Sequence, residues 1–372
     1  MPADHPDSPS PHYGGPAPDY SQAPVVLFWE ITKACALACR HCRAEAQPKR
    51  HPLELTTEEG FALVDEITRF RPQPIFIITG GDPLMRRDLF DLAAYAVSRG
   101  LRTSLSPSVT ALVTPLNLTR AYDAGVRHIS FSLDGATPEV HDGFRGVEGA
   151  FGRTLTAIKT AQEVGLTVQV NTTVSRWNRN QLETLADIVG RSGAVQWDLF
   201  FLVPTGRARA EEMLSAQEHE EVYHWLYGLS RQVSFRVKTT MGQPFRRVVL
   251  QRAALEGAQA DSVPSTNDDK GICFVSHIGE IYPSGFLPLR CGNVQTHSLV
   301  EVYQSHPTFL ALRDPGQLKG KCGVCPFNAL CGGCRARAYA CTGDYLAEEP
   351  CCVYSAPSLV AKGAAPLPAL QR

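Results

Sequence analysis

The chain has 372 residues, 44% of them hydrophobic and 20% charged, which is enough apolar material for a large packed core. Its 36 basic and 37 acidic side chains nearly cancel, so no global electrostatic case exists for nucleic acid or an anionic membrane as partner. There is no run of 18 apolar residues, and residues 1–20 lack the basic-then-apolar order of a secretory signal; the chain is expected in the cytoplasm.

Residues 1–24 carry seven prolines and almost no aliphatic side chains, and are expected to be a disordered tail. From Val25 to residue 254 short β-rich runs alternate with longer amphipathic segments. The strands are expected at 25–32, 74–79, 102–106, 128–133, 167–174, 196–202 and 234–240. The helices between them are expected near 88–99, 114–124, 150–164, 181–192 and 216–229, with one more opening on the capping box Thr56-x-x-Glu59. Strands apolar on both faces and joined by helices make a parallel sheet, which suits a partial (βα)6-type TIM barrel, with a doubly wound sheet as the other solution. A polar stretch at 255–271 reads as a linker. Residues 272–355 then open on a hairpin and continue as a small cysteine-rich domain, and 356–372 form a flexible tail.

The twelve cysteines are unevenly placed. Three lie at Cys35, Cys39 and Cys42, none follows for 230 residues, and nine crowd between Cys273 and Cys352. A reducing compartment keeps such thiols free for metals or catalysis, and two separate sites are implied. Cys35-x3-Cys39-x2-Cys42 directly follows the first strand, on the catalytic face of a barrel. Three thiolates there suit three irons of a cubane and leave one iron open; buried structural cysteines or a zinc site are the other possibilities. Cys322-x2-Cys325-x5-Cys331-x20-Cys352 supplies four thiolates, enough to saturate a second cluster, with structural zinc as the rival. Cys351 is an alternative fourth ligand to Cys352.

CxxxCxxC after the first strand of a βα barrel resembles the radical S-adenosylmethionine (SAM) superfamily. Gly80-Gly81-Asp82-Pro83, at the end of the second strand, resembles the segment with which that family holds the methionyl amino group. Ser132-x-Asp134-Gly135 and Arg145 resemble the segment contacting the SAM ribose and carboxylate. Asn171 and Thr172, and Pro204-x-Gly206-Arg207, fall where relatives complete the pocket. His41 departs from the aromatic residue common in the family and resembles the haem-pathway branch. The stretch 322–354, with CGGCRARAYA, resembles the SPASM-type extension of radical SAM enzymes of haem and haem-d biosynthesis.

The resemblance covers roughly residues 25–355. It implies a 4Fe-4S cluster on Cys35, Cys39 and Cys42, reductive cleavage of SAM to a 5'-deoxyadenosyl radical, and hydrogen abstraction from a substrate. It also implies one auxiliary 4Fe-4S cluster on Cys322, Cys325, Cys331 and Cys352, accepting or relaying an electron. An electron donor such as flavodoxin or ferredoxin is expected. The expected substrate is a tetrapyrrole whose propionates are decarboxylated or removed, with a ribosomal peptide as the alternative and a non-catalytic iron-sulfur or zinc protein as a more distant one. Arg335 and Arg337 could present guanidinium forks to substrate carboxylates or pack their stems on a helix face.

Overall fold

The computed structural model describes residues 19–257 and 270–356. Parts of the expected tails and linker, residues 1–18, 258–269 and 357–372, lie outside the described residues. The strands are β1 (Val26–Glu30), β2 (Ile75–Thr79), β3 (Thr103–Leu105), β4 (His128–Ser132), β5 (Thr167–Val174), β6 (Gln196–Phe201), β7 (Arg236–Thr240), β8 (Ile272–Val275), β9 (Glu280–Tyr282) and β10 (Gly292–Asn293). They form one ten-stranded sheet in the order β10-β9-β8-β1-β2-β3-β4-β5-β6-β7. From β8 through β1 to β7 every pairing is parallel, and β9 and β10 extend the β8 side antiparallel. The sheet ends at β7 and β10 without closing, which is the open arrangement of a partial barrel.

Eight helices accompany the barrel strands: α1 (Thr57–Ile67), α2 (Leu89–Ser98), α3 (Pro115–Asp123), α4 (Pro138–Arg145), α5 (Ala150–Val164), α6 (Leu182–Ser192), α7 (Ala216–Ser230) and α8 (Pro244–Leu255). Their boundaries follow local chemistry. Thr56 and Glu59 make the reciprocal capping box of α1, and Ser215 and Glu218 repeat it at α7. Gly165 and Gly193 end α5 and α6 in the left-handed conformation. The C-terminal region adds α9 (Leu299–Ser305), α10 (Pro307–Arg313), α11 (Gly320–Gly323) and α12 (Arg335–Thr342).

Strand side chains alternate, and on β5 the residues Val168, Val170, Thr172 and Val174 are buried beneath the helices while Gln169, Asn171 and Thr173 are half-buried on the concave side. One continuous core joins Trp29, Phe76, Phe131, Trp197, Val275 and Tyr303, so it runs under both the barrel helices and the C-terminal hairpin. Two features differ from the sequence expectation. Strand β8 pairs directly with β1, so the sheet crosses the expected linker instead of stopping before it. Residues 19–24, assigned to a disordered tail, are held down: Ala23 is buried, and the carbonyls of Tyr20, Ser21 and Gln22 accept from Tyr303, Arg313 and Gln304.

Candidate active site

The C-terminal ends of the parallel strands meet over one cleft of about 200 Å³. Its walls include Cys35, Cys39, His41 and Cys42 after β1, Gly80 and Gly81 after β2, Ser106 and Ser108 at β3, Ser132 on β4, and His141 and Arg145 on α4. Thr173, Phe200 and Leu202 close the far side, and Phe286 reaches in from the C-terminal hairpin. This is the face on which barrels build active sites, because loops there vary while the strands stay rigid.

The cysteine loop is fastened to its neighbours by backbone. Cys35 N–H donates to Gln47 O (2.8 Å), closing the loop on itself, and Arg40 N–H donates to Phe144 O (3.0 Å) at the end of α4. The glycine pair after β2 is zipped against the same loop: Gly81 N–H donates to Thr32 O (2.8 Å) and Asp82 N–H to Ala34 O (2.6 Å). A Cβ on Gly81 would sit 2.5 Å from Ala34 O, so glycine is required here by the cysteine loop itself, before any ligand is considered.

Each thiol has a distinct setting. Burial pushes the Cys35 and Cys39 thiols above the ordinary cysteine range; the Ser108 hydroxyl, 3.5 Å from Cys35 Sγ, and the Arg145 guanidinium, 3.8 Å from Cys39 Sγ, act against that rise. Ser108 also donates to Gly81 O (2.6 Å), tying the third strand's loop to the second's. Ser108, Thr173, Phe200 and Phe286 were not singled out from the sequence. Ser106-x-Ser108 at the end of the third strand is a local sign of Ser108 alone.

The remaining expected residues divide into two groups. Gly80, Gly81, Ser132 and Arg145 line the cleft, whereas Asp82, Pro83, Asp134 and Asn171 are not on its wall. Asp82 is fully buried and accepts from Leu84 N–H and the Thr110 hydroxyl; burial outweighs both bonds and pushes its carboxyl up to about 6. Asp134 pairs with Arg145 and accepts from Thr173 N–H (2.6 Å); burial opposes ionisation, but the Arg145 charge holds its pKa below the usual carboxylate range. Asn171 accepts from Gln169 Nε2, deeper along β5. His41 stacks on Phe144 at 4.1 Å, and burial lowers its imidazole pKa to about 3, so it is neutral. Its buried Nδ1 has no partner within the protein.

A second, smaller cavity lies in the C-terminal region. Cys322, Cys325, Cys331 and Cys352 all line it, together with Arg247, Lys321 and Glu349. Cys351 does not; its Sγ is turned toward Leu214 O. Cys273 and Cys291 are buried in the main core, Cys334 caps α12, and Cys341 is exposed. Arg335 and Arg337 face no substrate cleft. Both are buried, with Arg335 bonded to the carbonyls of Tyr345 and Ala347, and Arg337 to those of Phe201, Leu202 and Met241 and to Glu349. Among the described residues no three Cys, His, Asp or Glu side chains are drawn together as a single-ion site.

Residues 29–189 match the Radical SAM superfamily. The chain is 41% identical to the AdoMet-dependent heme synthase of Nitratidesulfovibrio vulgaris over 90% of its own length and 94% of that protein. The chain belongs to the radical SAM superfamily. A mycofactocin maturase, MftC of Mycobacterium ulcerans, is 31% identical, with 93% of each chain covered. Among solved structures, Streptococcus suis SuiB, bound to its precursor peptide SuiA, shares the fold at a TM-score of 0.67 and 15% identity, over 90% of this chain and 76% of SuiB. This radical SAM protein is therefore an enzyme that uses S-adenosylmethionine and a 4Fe-4S cluster. The cleft fits both: three thiols share its wall, and the orphaned Nδ1 of His41 is a buried polar atom that a ligand would satisfy.

Proposed function

We propose that this radical SAM enzyme forms heme or a closely related tetrapyrrole, by acting on the propionate side chains of a tetrapyrrole precursor. The observation that carries this reading is the 41% identity to an AdoMet-dependent heme synthase across nearly the whole of both chains, reaching well beyond the barrel. The mycofactocin maturase likeness is weaker at 31%, and it leaves modification of a ribosomal peptide as the second reading.

In this reading Cys35, Cys39 and Cys42 hold the cluster, leaving one corner for S-adenosylmethionine. Bound together, cluster and SAM supply reductive C–S cleavage and hydrogen-atom abstraction. Gly80, Gly81, Ser132 and Arg145 contact the SAM molecule from the cleft wall. Asp82, Pro83, Asp134 and Asn171 act at one remove: Asp82 and Pro83 fix the exit of the glycine turn, Asp134 orients Arg145, and Asn171 is held by Gln169 on β5 behind the cleft wall. Phe200, Leu202 and Phe286 provide an apolar wall that excludes water and competing hydrogen donors.

Cys322, Cys325, Cys331 and Cys352 hold an auxiliary 4Fe-4S cluster, a set supported by their shared cavity and by the contrary orientation of Cys351. An electron donor of the flavodoxin or ferredoxin type reduces the enzyme, and a reducing compartment such as the cytoplasm suits a protein whose thiols must stay free for clusters. No helix of the described residues is long and apolar enough to cross a membrane.

The test is an anaerobic reaction of reconstituted protein with dithionite, SAM and propionate-bearing tetrapyrroles, with and without bound iron, followed by mass spectrometry. Loss of carbon dioxide and two hydrogens per converted side chain, with 5'-deoxyadenosine released in step, is the expected result. Turnover of a precursor peptide and of no tetrapyrrole would overturn it in favour of the second reading.

A further inference from the structure

The segment after β6 approaches the cysteine loop more closely than any ligand-binding role for it requires. Gly206 has φ +64°, and a Cβ there would lie 2.5 Å from the carbonyl oxygens of both Cys42 and Arg43. The next residue then grips the loop three times. Arg207 donates from its backbone N–H to Cys42 O (3.1 Å), from Nε to Cys39 O (2.9 Å) and from Nη1 to Ala46 O (3.2 Å). Its Nη2 is buried and has no acceptor within the protein. The two guanidinium groups that line the cleft are neutralised, Arg145 by Asp134 and Arg43 by Glu30, whereas Arg207, off the cleft wall and against the cysteine loop, meets no carboxylate within ion-pair distance among the described residues.

We propose that Arg207 is a positioning residue for the SAM-binding cluster: it clamps the carbonyls of Cys39, Cys42 and Ala46 so that the loop is pre-shaped for iron, and its uncompensated charge eases reduction of that cluster. Two donors from one rigid planar group, added to the residue's own backbone N–H, fix the loop with less loss of side-chain freedom than separate residues would. A loop held in its bound form binds with less ordering cost. A permanent positive charge in a poorly solvated position stabilises the more negative, reduced cluster, because net charge and hydrogen bonding set such potentials. The inference rests on Cys35, Cys39 and Cys42 being the cluster ligands.

The experiment uses the reconstituted full chain and reads three quantities: iron per chain, the midpoint potential of the cluster whose electron paramagnetic resonance signal changes on adding SAM, and hydrogen exchange of amides 35–47 in the iron-free protein. Arg207→Met is expected to lose most of the iron at this site, to shift the remaining cluster to a more negative potential, and to raise loop exchange severalfold. Arg207→Lys keeps the charge and loses the fork, so its exchange should rise while its potential stays near that of the unsubstituted protein. Unchanged potential and exchange in Arg207→Met would overturn the proposal, as would a shifted potential or unchanged exchange in Arg207→Lys if the methionine variant does not fold. Failure of the unsubstituted protein to show any SAM-responsive cluster would instead sink the ligand assignment beneath it.

Discussion

The guanidinium of Arg337 and the carboxylate of Glu349 meet at 3.1 Å with neither side chain reaching solvent. The same carboxylate accepts from the backbone N–H groups of Cys334 (2.6 Å) and Cys351 (3.0 Å), while Arg337 binds carbonyls at the ends of β6 and β7. One ion pair therefore stitches the sulfur-rich segment to the barrel. Glu349→Gln leaves a buried guanidinium without its counter-charge and should cost about 3–5 kcal/mol. Anaerobic urea unfolding measures this, and an Arg337→Met/Glu349→Gln double variant should recover part of the loss. Equal stability of Glu349→Gln and the unsubstituted chain would contradict the role given to the pair.

The two adjacent cysteines near the end of the described chain should behave differently. Cys352→Ser removes a thiol from the second cavity and should lower iron bound in the C-terminal region, while Cys351→Ser should leave it unchanged because Cys351 Sγ points at Leu214. Iron analysis with Mössbauer spectra of the two variants separates them. The reverse pattern would exchange the ligand assignment.

Gly81→Ala should damage the first site without touching a thiol. Its new methyl group would press on Ala34 O and Lys33 O and break the zipper between the glycine turn and the cysteine loop. A destabilisation of about 1–3 kcal/mol is expected from the overpacking. SAM binding, read from the change in the cluster's spectrum, should weaken along with it.

Stability should fall in mild acid, with His219 as one source. Burial, with the nearby Arg337 charge adding to it, holds the folded-state imidazole at about 4, while the unfolded chain titrates at its ordinary value. Between about 6.5 and 4 the unfolded state binds the extra proton, so folding stability present above that window is lost as pH falls through it. Urea midpoints of the apoprotein at pH 7 and 5 should differ less for His219→Gln than for the unsubstituted chain. Parallel curves would rule His219 out.

The barrel strands and the two cysteine groups were legible because short apolar runs rich in Val, Ile and Phe and fixed Cys spacings are local signals. Helix α4 was not. Its sequence, PEVHDGFR, has low apolar content, and its value lies in placing His141 and Arg145 four residues apart on one face, which periodicity in a short polar segment does not reveal. Nor could spacing show that Asp82 turns away from the cleft toward Thr110, or that Arg335 and Arg337 bury their charges against carbonyls. Those outcomes depend on contacts between residues far apart in the chain.

The pairing of β8 with β1 has a consequence for any shortened version of this enzyme. β1 leads directly into the loop of Cys35, Cys39 and Cys42, and on one side its backbone hydrogen-bonding groups are met by β8. A chain cut after α8 would leave that side a bare rim of amides, apt to recruit a stray strand from another molecule. The remnant would thus be sticky as well as incomplete, and the sulfur-rich end of the protein acts as the selvedge of the catalytic half's sheet.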